Sequence, residues 1–307
     1  CWYNGPIENC DRQSRKECVG CIFKPKNSSG ANIKLGDVIG LDKAKEALNR
    51  RMVEVLKHKK KLVERNAGVS KGILFFGFPG TGKTLLAKAA ANELMEDNPS
   101  ISFDTISIGD IGSSSVSTSD RKVKAMFAKW RNRDDREWII LMDEADAIIP
   151  DRTKVKSVLT IERVSAMLRE IDGVQDTDNV YFICTTNRPF SIDPAFMRSG
   201  RIEDRVFIDL PNDKERLALL EFYLKDIDFQ GKDIKLPFIA KRTENYCGAD
   251  FKRMRNELIL TEEIKKESNT QYKLTDQDMT VAISKCRRPI GKNIENMRQE
   301  YLLFADD

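Results

Sequence analysis

The chain has 307 residues, of which 40% are apolar, so it can bury a sizeable core and form more than one domain. Its 52 Lys and Arg residues are nearly balanced by 48 Asp and Glu residues, and the net charge of +4 is too small to indicate a nucleic-acid-binding protein. The sequence has no apolar run near 18 residues and no signal-peptide pattern, so we expect a soluble cytoplasmic protein with no membrane partner. Because the chain begins at Cys1 and not at a methionine, we expect further residues to precede it.

Four of the seven cysteines lie within the first 21 residues, namely Cys1, Cys10, Cys18 and Cys21. Cys18 and Cys21 have the C-x2-C spacing with which two thiolates bind one ion, and the other two would complete a tetrahedral Zn²⁺ site. In a cytosolic chain metal binding is favoured over disulfides, and it would stabilise a segment too short to fold by apolar burial. We predict a zinc-binding segment at residues 1–23, with free thiols or a disordered leader as alternatives, and then a linker at residues 24–35.

A globular pattern begins at residue 36, where Asp42 is the predicted N-cap of an amphipathic helix. Five apolar segments are typical of buried strands, at residues 73–76, 101–108, 138–142, 180–185 and 206–210. Helical patterns separate most of these segments, which predicts an α/β fold with a parallel sheet covered by helices on both faces. Ligands of such sheets bind at the carboxyl ends of the strands.

The segment at residues 77–84 reads Gly-Phe-Pro-Gly-Thr-Gly-Lys-Thr and has the pattern G-x-x-x-x-G-K-[ST]. It lies between a predicted strand and a run of strong helix formers, so its backbone N–H groups would form a phosphate cradle. Lys83 would contact the β- and γ-phosphates of ATP, and the Thr84 hydroxyl would bind Mg²⁺. A glycine-rich turn without a ligand is the alternative. The predicted nucleotide contacts of this segment are Pro79, Gly80, Thr81, Gly82, Lys83, Thr84 and Leu85.

Polar residues follow the next predicted strands along the chain. Asp143 and Glu144 come directly after residues 138–142, where Asp143 would hold Mg²⁺ through water and Glu144 would polarise the attacking water. A capped turn is the alternative, but Glu144 favours hydrolysis over mere binding. Asn187 follows residues 180–185, and its amide could contact the γ-phosphate or orient the water, although asparagine after a strand is usually part of a turn.

Arg198 and Arg201 lie three residues apart just before the last predicted strand. Guanidinium groups stabilise the charge that spreads over a transferring phosphoryl group. Surface arginines of this kind are usually solvated, so the position of the pair is what makes them candidates for catalysis.

These motifs, in this order and spacing, resemble the AAA family of P-loop ATPases from about residue 33 to the C-terminus. The resemblance implies a nucleotide-binding α/β domain at residues 36–211, a small all-α lid domain at residues 212–292 and a C-terminal helix at residues 293–307. It also implies that Asn187 is the sensor-1 residue. The residues implied to contact the base and ribose are Val38, Ile39, Gly40, Gly248 and Ala249.

By the same resemblance, Arg198 and Arg201 are arginine fingers that act on the ATP site of a neighbouring subunit. Such residues require a homo-oligomer with heterologous interfaces, and the family usually forms a hexameric ring. Lid helices are predicted at residues 214–227 and 249–267, and Thr275 begins a capping box that opens a third helix.

Members of the family that thread proteins carry an aromatic residue in a loop after the second strand. Here that position falls near Ser115, within residues 113–119, where five of seven residues are serine. We expect a flexible solvated loop that does not stack on substrate side chains, although its hydroxyls could bind a backbone or phosphates.

Three functions are compatible with these observations. The leading hypothesis is an ATP-hydrolysing AAA ring motor or switch, with ATP and Mg²⁺ as cofactors, that remodels a macromolecular client, protein before nucleic acid. The second is a DNA-associated AAA+ switch or loader that docks through the cysteine-rich segment. The third is a nucleotide-gated scaffold with little turnover, against which Glu144, Asn187 and the two arginines argue.

Overall fold

The computed structural model describes residues 33–65, 70–112, 116–131, 136–174, 179–198, 200–229, 235–286 and 293–306. The four N-terminal cysteines lie outside these ranges, so the zinc site at residues 1–23 stays a prediction. The remaining three cysteines are free and buried, at Cys184, Cys247 and Cys286.

Five strands form one parallel sheet, and each predicted strand is present. They are β1 (Gly72–Gly77), β2 (Ile101–Ile106), β3 (Glu137–Met142), β4 (Val180–Thr186) and β5 (Asp204–Ile208). The order across the sheet is β2-β3-β4-β1-β5. The carboxyl ends of β3, β4 and β1 are therefore adjacent, and these are the ends that carry the predicted catalytic and phosphate-binding residues.

Helices flank the sheet and then continue to the end of the chain. Up to β4 they are α1 (Asp42–Leu48), α2 (Glu54–Glu64), α3 (Lys83–Asp97), α4 (Ile108–Ile111), α5 (Val116–Arg131), α6 (Ala145–Ile148) and α7 (Val158–Val174). After β5 they are α8 (Asp213–Leu224), α9 (Leu236–Arg242), α10 (Gly248–Ser268), α11 (Asp276–Cys286) and α12 (Ile294–Asp306). Within the described ranges, none of them combines the length and apolarity needed to cross a bilayer.

Side chains of the central strands alternate between two buried layers. Phe76 of β1 belongs to the layer that includes Phe127 of α5, whereas Phe75 belongs to the opposite layer with Leu86 of α3. All four side chains have no solvent exposure, and each contributes roughly 1.5–3 kcal/mol by burial. The predicted fold class, a parallel sheet between helices, is confirmed.

The helices α8 to α11 form a separate hydrophobic core and so make up the all-α lid region. One buried side chain from each helix illustrates this core, namely Leu220, Ile239, Met254 and Ala282. The sequence pattern does not predict α9, because its seven residues are too few to show a helical period. The predicted capping box before α11 is present, since the backbone N–H of Thr275 donates to Asp278 Oδ2 at 2.9 Å.

The predicted N-cap at Asp42 is wrong by one residue. Leu41 is the N-cap of α1, with a left-handed φ of 60°, and Asp42 is the first helical residue. An acidic side chain is also favourable there, because it faces the positive end of the helix dipole. The predicted single helix is moreover divided by a π-helical turn at Asn49–Val53 between α1 and α2.

Two strands, β2 and β5, end two residues earlier in the structure than predicted. β2 ends at Ile106 because Ser107 and Asp110 form a capping box that opens α4, with Ser107 N–H donating to Asp110 Oδ2 at 2.9 Å. β5 ends at Ile208, the partner of Gly77, because β1 itself ends where the glycine loop begins.

The loop prediction for residues 113–119 is wrong from Val116 onward, because α5 begins there. Ser119 is 6% exposed. Serine and threonine have low helix propensity, so the local sequence does not signal this start, whereas Val123 and Phe127 farther along α5 are fully buried. Residues 113–115 lie outside the described part of the chain.

Candidate nucleotide-binding site

The loop between β1 and α3 requires glycine at both of its ends. Gly77 has a φ of +136°, and a Cβ there would lie 2.2 Å from the carbonyl oxygen of Ile208 on β5. Gly82 is the N-cap of α3 with a φ of 97°. The predicted strand, glycine loop and helix N-terminus are therefore present, and the first N–H groups of α3 have no acceptor within the helix.

Lys83 is held inside the glycine loop and is 6% exposed. Its Nζ donates to the carbonyl oxygens of Phe78 at 2.6 Å and Gly77 at 3.1 Å. Burial lowers the pKa of Lys83 to about 8, because the charged ammonium loses hydration. A phosphate group bound in the loop would place a negative charge beside this ammonium and so stabilise its charged form.

Asp143 connects the ends of three elements. Its Oδ1 accepts hydrogen bonds from the hydroxyl of Thr84 in α3 at 2.9 Å and from that of Thr185 in β4 at 2.5 Å. Hydroxyl and carboxylate oxygens are the hard donors that Mg²⁺ takes together with water and substrate phosphates, so this pair fits the ion. Among the described residues no three His, Cys, Asp or Glu side chains form a metal-binding group, and Mg²⁺ sites often need only one or two carboxylates.

Glu144 follows Asp143 in an unusual backbone conformation. Its φ is 54°, and left-handed backbone is uncommon for residues other than glycine and often marks functional sites. Its side chain is exposed, so it is accessible to water.

A cleft of about 260 Å³ lies at these strand ends. It brings five of the seven predicted nucleotide contacts of the glycine loop, all but Pro79 and Thr81, together with Asp143, Glu144 and Asn187, which lie far from the loop in sequence. The residues lining the cleft are Gly80, Gly82, Lys83, Thr84, Leu85, Asp143, Glu144, Thr185, Thr186 and Asn187.

The predicted base-contacting segment lies beside the lid. The backbone N–H of Leu41 donates to Glu215 Oε1 of α8 at 3.1 Å. Gly40 has a φ of +66°, and a Cβ there would lie 2.6 Å from the same oxygen. The side chain of Val38 is buried in the core, whereas Ile39 is partly exposed.

The other predicted base contacts open the long lid helix α10. Gly248 is its first residue, and a Cβ there would lie 3.6 Å from the carbonyl oxygen of Gly80. The backbone N–H of Ala249 donates to that same oxygen at 3.2 Å. The lid therefore contacts the glycine loop directly.

The two candidate arginine fingers have different surroundings. Arg201 binds Asp172 through Nε and Nη2, at 2.5 and 2.7 Å, and also donates to the carbonyl of Ala195. Arg198 is exposed. Neither side chain is among the residues that line the cleft of its own chain.

Thr185 and Thr186 are residues of the site to which the sequence pattern assigns no role. Thr186 donates to Asp146 Oδ1 at 2.6 Å, and the backbone N–H of Arg188 donates to Thr186 at 2.8 Å. The sequence does contain a signal for these two residues, because the apolar run of the fully buried strand β4 changes to two threonines at its end. These contacts orient the loop that carries Asn187.

A parallel sheet with a glycine loop after β1 and an acidic pair after β3 defines the class of P-loop nucleoside triphosphatases. Residues 73–210 match the ATPase family associated with various cellular activities (AAA). The chain therefore carries an AAA family ATPase domain, and the resemblance stated from its motifs is confirmed.

Similar proteins include AAA proteins of two kinds. A Cell division cycle protein 48 homolog of Archaeoglobus fulgidus is 34% identical over 273 residues, which are 85% of this chain and 36% of the relative. ATP-dependent zinc metalloprotease FtsH 3 of Symbiobacterium thermophilum is 34% identical over 81% of this chain and 38% of its own length. An ATP-dependent zinc metalloprotease FtsH of Leptotrichia buccalis is 36% identical over 81% of this chain. The chain spans about a third (32%) of the length of that relative.

Proposed function

We propose that this chain hydrolyses ATP in a Mg²⁺-dependent reaction between two copies of itself, and that it works as a motor or switch on a protein client. The observation that carries the proposal is the hydrogen bond of 2.9 Å between Thr84 and Asp143. It joins the phosphate-binding helix to the acidic pair that follows β3, and so brings binding and catalytic groups into one cleft.

Each group in the cleft has a proposed task. Lys83 and the backbone N–H groups of the loop bind the phosphates, while Thr84 and Asp143 hold Mg²⁺. The ion, when bound, neutralises charge on the β- and γ-phosphate oxygens. Glu144 accepts a proton from the attacking water, and Asn187 orients that water or the γ-phosphate.

The arginines are proposed to act on a neighbouring copy. The support is that Arg198 and Arg201 lie after β4 but outside the cleft-lining set of their own chain. A contact in which one copy offers arginines and the next offers its cleft is heterologous, so it builds a ring or a helix. We propose a hexameric ring, which is the usual assembly of the family.

The protein client is proposed from similarity to relatives that are named as ATP-dependent metalloproteases. Protease activity is not proposed for this chain, because it has one histidine and so lacks the H-E-x-x-H pair of such zinc sites. The position of the family's aromatic residue falls near Ser115-Val116-Ser117, which has no aromatic side chain, so any contact with a client there would be by hydrogen bonding and not by aromatic stacking.

The test is phosphate release by the purified chain with Mg²⁺ and with EDTA. We expect turnover that requires Mg²⁺ and that falls roughly 100-fold or more in Glu144→Gln, because general base catalysis contributes about 10²–10⁴. ATP binding should persist in this variant. Glu267→Gln is the matched control, since this glutamate is exposed on the lid. Wild-type turnover in Glu144→Gln, or no turnover by a wild-type chain that binds ATP, would contradict the proposal.

A further inference from the structure

The C-terminal helix α12 packs against the start of the glycine loop. Tyr301 and Phe304 on this helix are each 5% exposed. The Tyr301 ring lies edge-on to Phe78, with centroids 5.2 Å apart, and the Phe304 ring lies 4.8 Å from Phe76. Since Phe76 and Phe78 flank Gly77, α12 contacts the chain on both sides of the first loop residue.

Tyr301 also holds the backbone of the proposed sensor residue. Its hydroxyl donates to the carbonyl oxygen of Asn187 at 3.0 Å. Burial raises the pKa of Tyr301, so the hydroxyl stays protonated and remains a donor at neutral pH. The side chain of Asn187, on the same residue, lines the nucleotide cleft.

The position of Asn187 explains why this hydrogen bond matters. The pairing of β4 with β1 ends at Thr186, opposite Phe76, so Asn187 is the first residue beyond the ladder. Its backbone is therefore not fixed by sheet pairing with β1. Beyond the last β4–β1 pair, the Tyr301 hydroxyl supplies the hydrogen bond that holds the carbonyl group of Asn187.

The helix α12 is itself anchored to β5 and to the residue that follows it. Arg298 Nε donates to Asp209 Oδ2 at 2.9 Å, and Arg205 Nη1 donates to the carbonyl oxygen of Phe304 at 3.1 Å. The Arg205 guanidinium also lies 5.0 Å from the centre of the Phe304 ring. Tyr301 is thus carried by an element that is fixed to the sheet at several points.

We infer that Tyr301 is a positioning residue for ATP hydrolysis, which sets the placement of Asn187 relative to the glycine loop through the hydroxyl–carbonyl hydrogen bond. This inference rests on the proposed function, because it assumes that Asn187 acts on the γ-phosphate or the attacking water. Tyr301 itself touches neither. Its effect should appear in the rate of hydrolysis and not in the affinity for ATP.

The test compares Tyr301→Phe, Asn187→Ala and the double variant by steady-state kinetics. Tyr301→Phe keeps the ring and removes only the hydroxyl, so we expect kcat to fall about fivefold, the equivalent of one net hydrogen bond, with KM changed less than about twofold. In the Asn187→Ala background the same substitution should have no further effect, because the group that Tyr301 positions is gone. Leu303→Ala on the same helix, where the side chain is 66% exposed, is the control.

The possible results distinguish a failure of the role of Tyr301 from a failure of the proposed function. An inactive wild-type chain would contradict the proposed function itself. An active wild-type chain with an unchanged kcat in Tyr301→Phe would overturn the role of Tyr301 alone. An equal loss of kcat in the wild-type and Asn187→Ala backgrounds would also overturn it, because a general structural role predicts additive effects.

Discussion

Arg201 and Asp172 form a two-point ion pair, with Nε–Oδ1 at 2.5 Å and Nη2–Oδ2 at 2.7 Å. Asp172 is near the end of α7, and Arg201 lies between β4 and β5, so the pair ties a helix to the arginine segment. The Arg201 side chain is 15% exposed. Bidentate pairing fixes the plane of a guanidinium, so Arg201 is oriented by its own chain before any neighbour is present.

The first prediction concerns the proposed action of Arg201 on a neighbour. Arg201→Ala should bind ATP with an affinity within about twofold of wild type, because Arg201 does not line its own cleft. Turnover should fall by about 10³-fold or more, the usual effect of an arginine finger. Binding of a fluorescent ATP analogue and phosphate release measure the two quantities. Arg253→Ala, an exposed lid substitution, is the control, and turnover that survives in Arg201→Ala would show the assignment to be wrong.

The second prediction concerns the link between the lid and the base-contacting segment. Glu215 accepts hydrogen bonds from the N–H groups of Leu41 at 3.1 Å and Asn212 at 2.9 Å. Glu215→Ala should raise the Kd for ATP about fivefold, since the one hydrogen bond that holds the base-contacting segment to α8, at Leu41, is lost. Calorimetric titration measures the change. Glu221→Ala on the same helix should leave the Kd unchanged, and equal Kd values in both variants would contradict the role of Glu215.

The third prediction follows from the buried ammonium of Lys83. Burial lowers the pKa of Lys83 to about 8 in the ATP-free chain, whereas bound phosphates would raise it, because they stabilise the charged form. Above pH 8 binding must therefore take up a proton. The affinity for ATP should be constant below pH 8 and should fall by up to about tenfold per pH unit above it.

Titrations between pH 7 and 9.5 in buffers of different ionisation enthalpy measure both the affinity and the proton uptake. Lys83→Arg supplies the matched control, because a guanidinium stays charged over this range. Its affinity, even if lower, should not depend on pH. A pH-independent affinity of the wild-type chain would show that Lys83 is already charged when the loop is free.

The fourth prediction concerns stability. Phe304 is 5% exposed and contacts the rings of Phe76 and Phe190, at 4.8 and 5.2 Å between centroids. Phe304→Ala should lower the free energy of unfolding by about 3 kcal/mol, through lost burial and the cavity that remains. Leu303→Ala, at a site 66% exposed, should change it by less than about 0.5 kcal/mol. Urea denaturation measures both, and similar losses would contradict the packing of α12.

The parts of the site that sequence predicts well are those with a local pattern. The glycine loop, the buried strands and the polar residues at their ends, such as Asp143 and Asn187, each have a signal within a few residues. Because the strands are parallel, their carboxyl ends meet at one edge, so the grouping of these residues follows from the fold. The strands form from segments whose side chains are buried, and runs of apolar residues in the sequence indicate such segments.

The contacts that sequence does not predict join residues far apart in the chain. Tyr301 and Asn187 are separated by 114 positions, and Glu215 and Leu41 by 174. A polar contact of this kind depends on the relative placement of whole elements and has no periodic signature. The start of α5 at Val116 is a further case, since the serine-rich run there gives no local helical signal.

Mixing two inactive variants tests most directly whether ATP is hydrolysed between two copies of the chain. Arg201→Ala keeps Glu144 and Glu144→Gln keeps Arg201, so an active site can form only where the two variants meet. Random assembly of an equal mixture pairs intact partners at about one quarter of the interfaces, so we expect about one quarter of the wild-type phosphate release if sites act independently. A mixture that stays inactive although the variants assemble together, or full activity of wild-type monomers, would contradict this account.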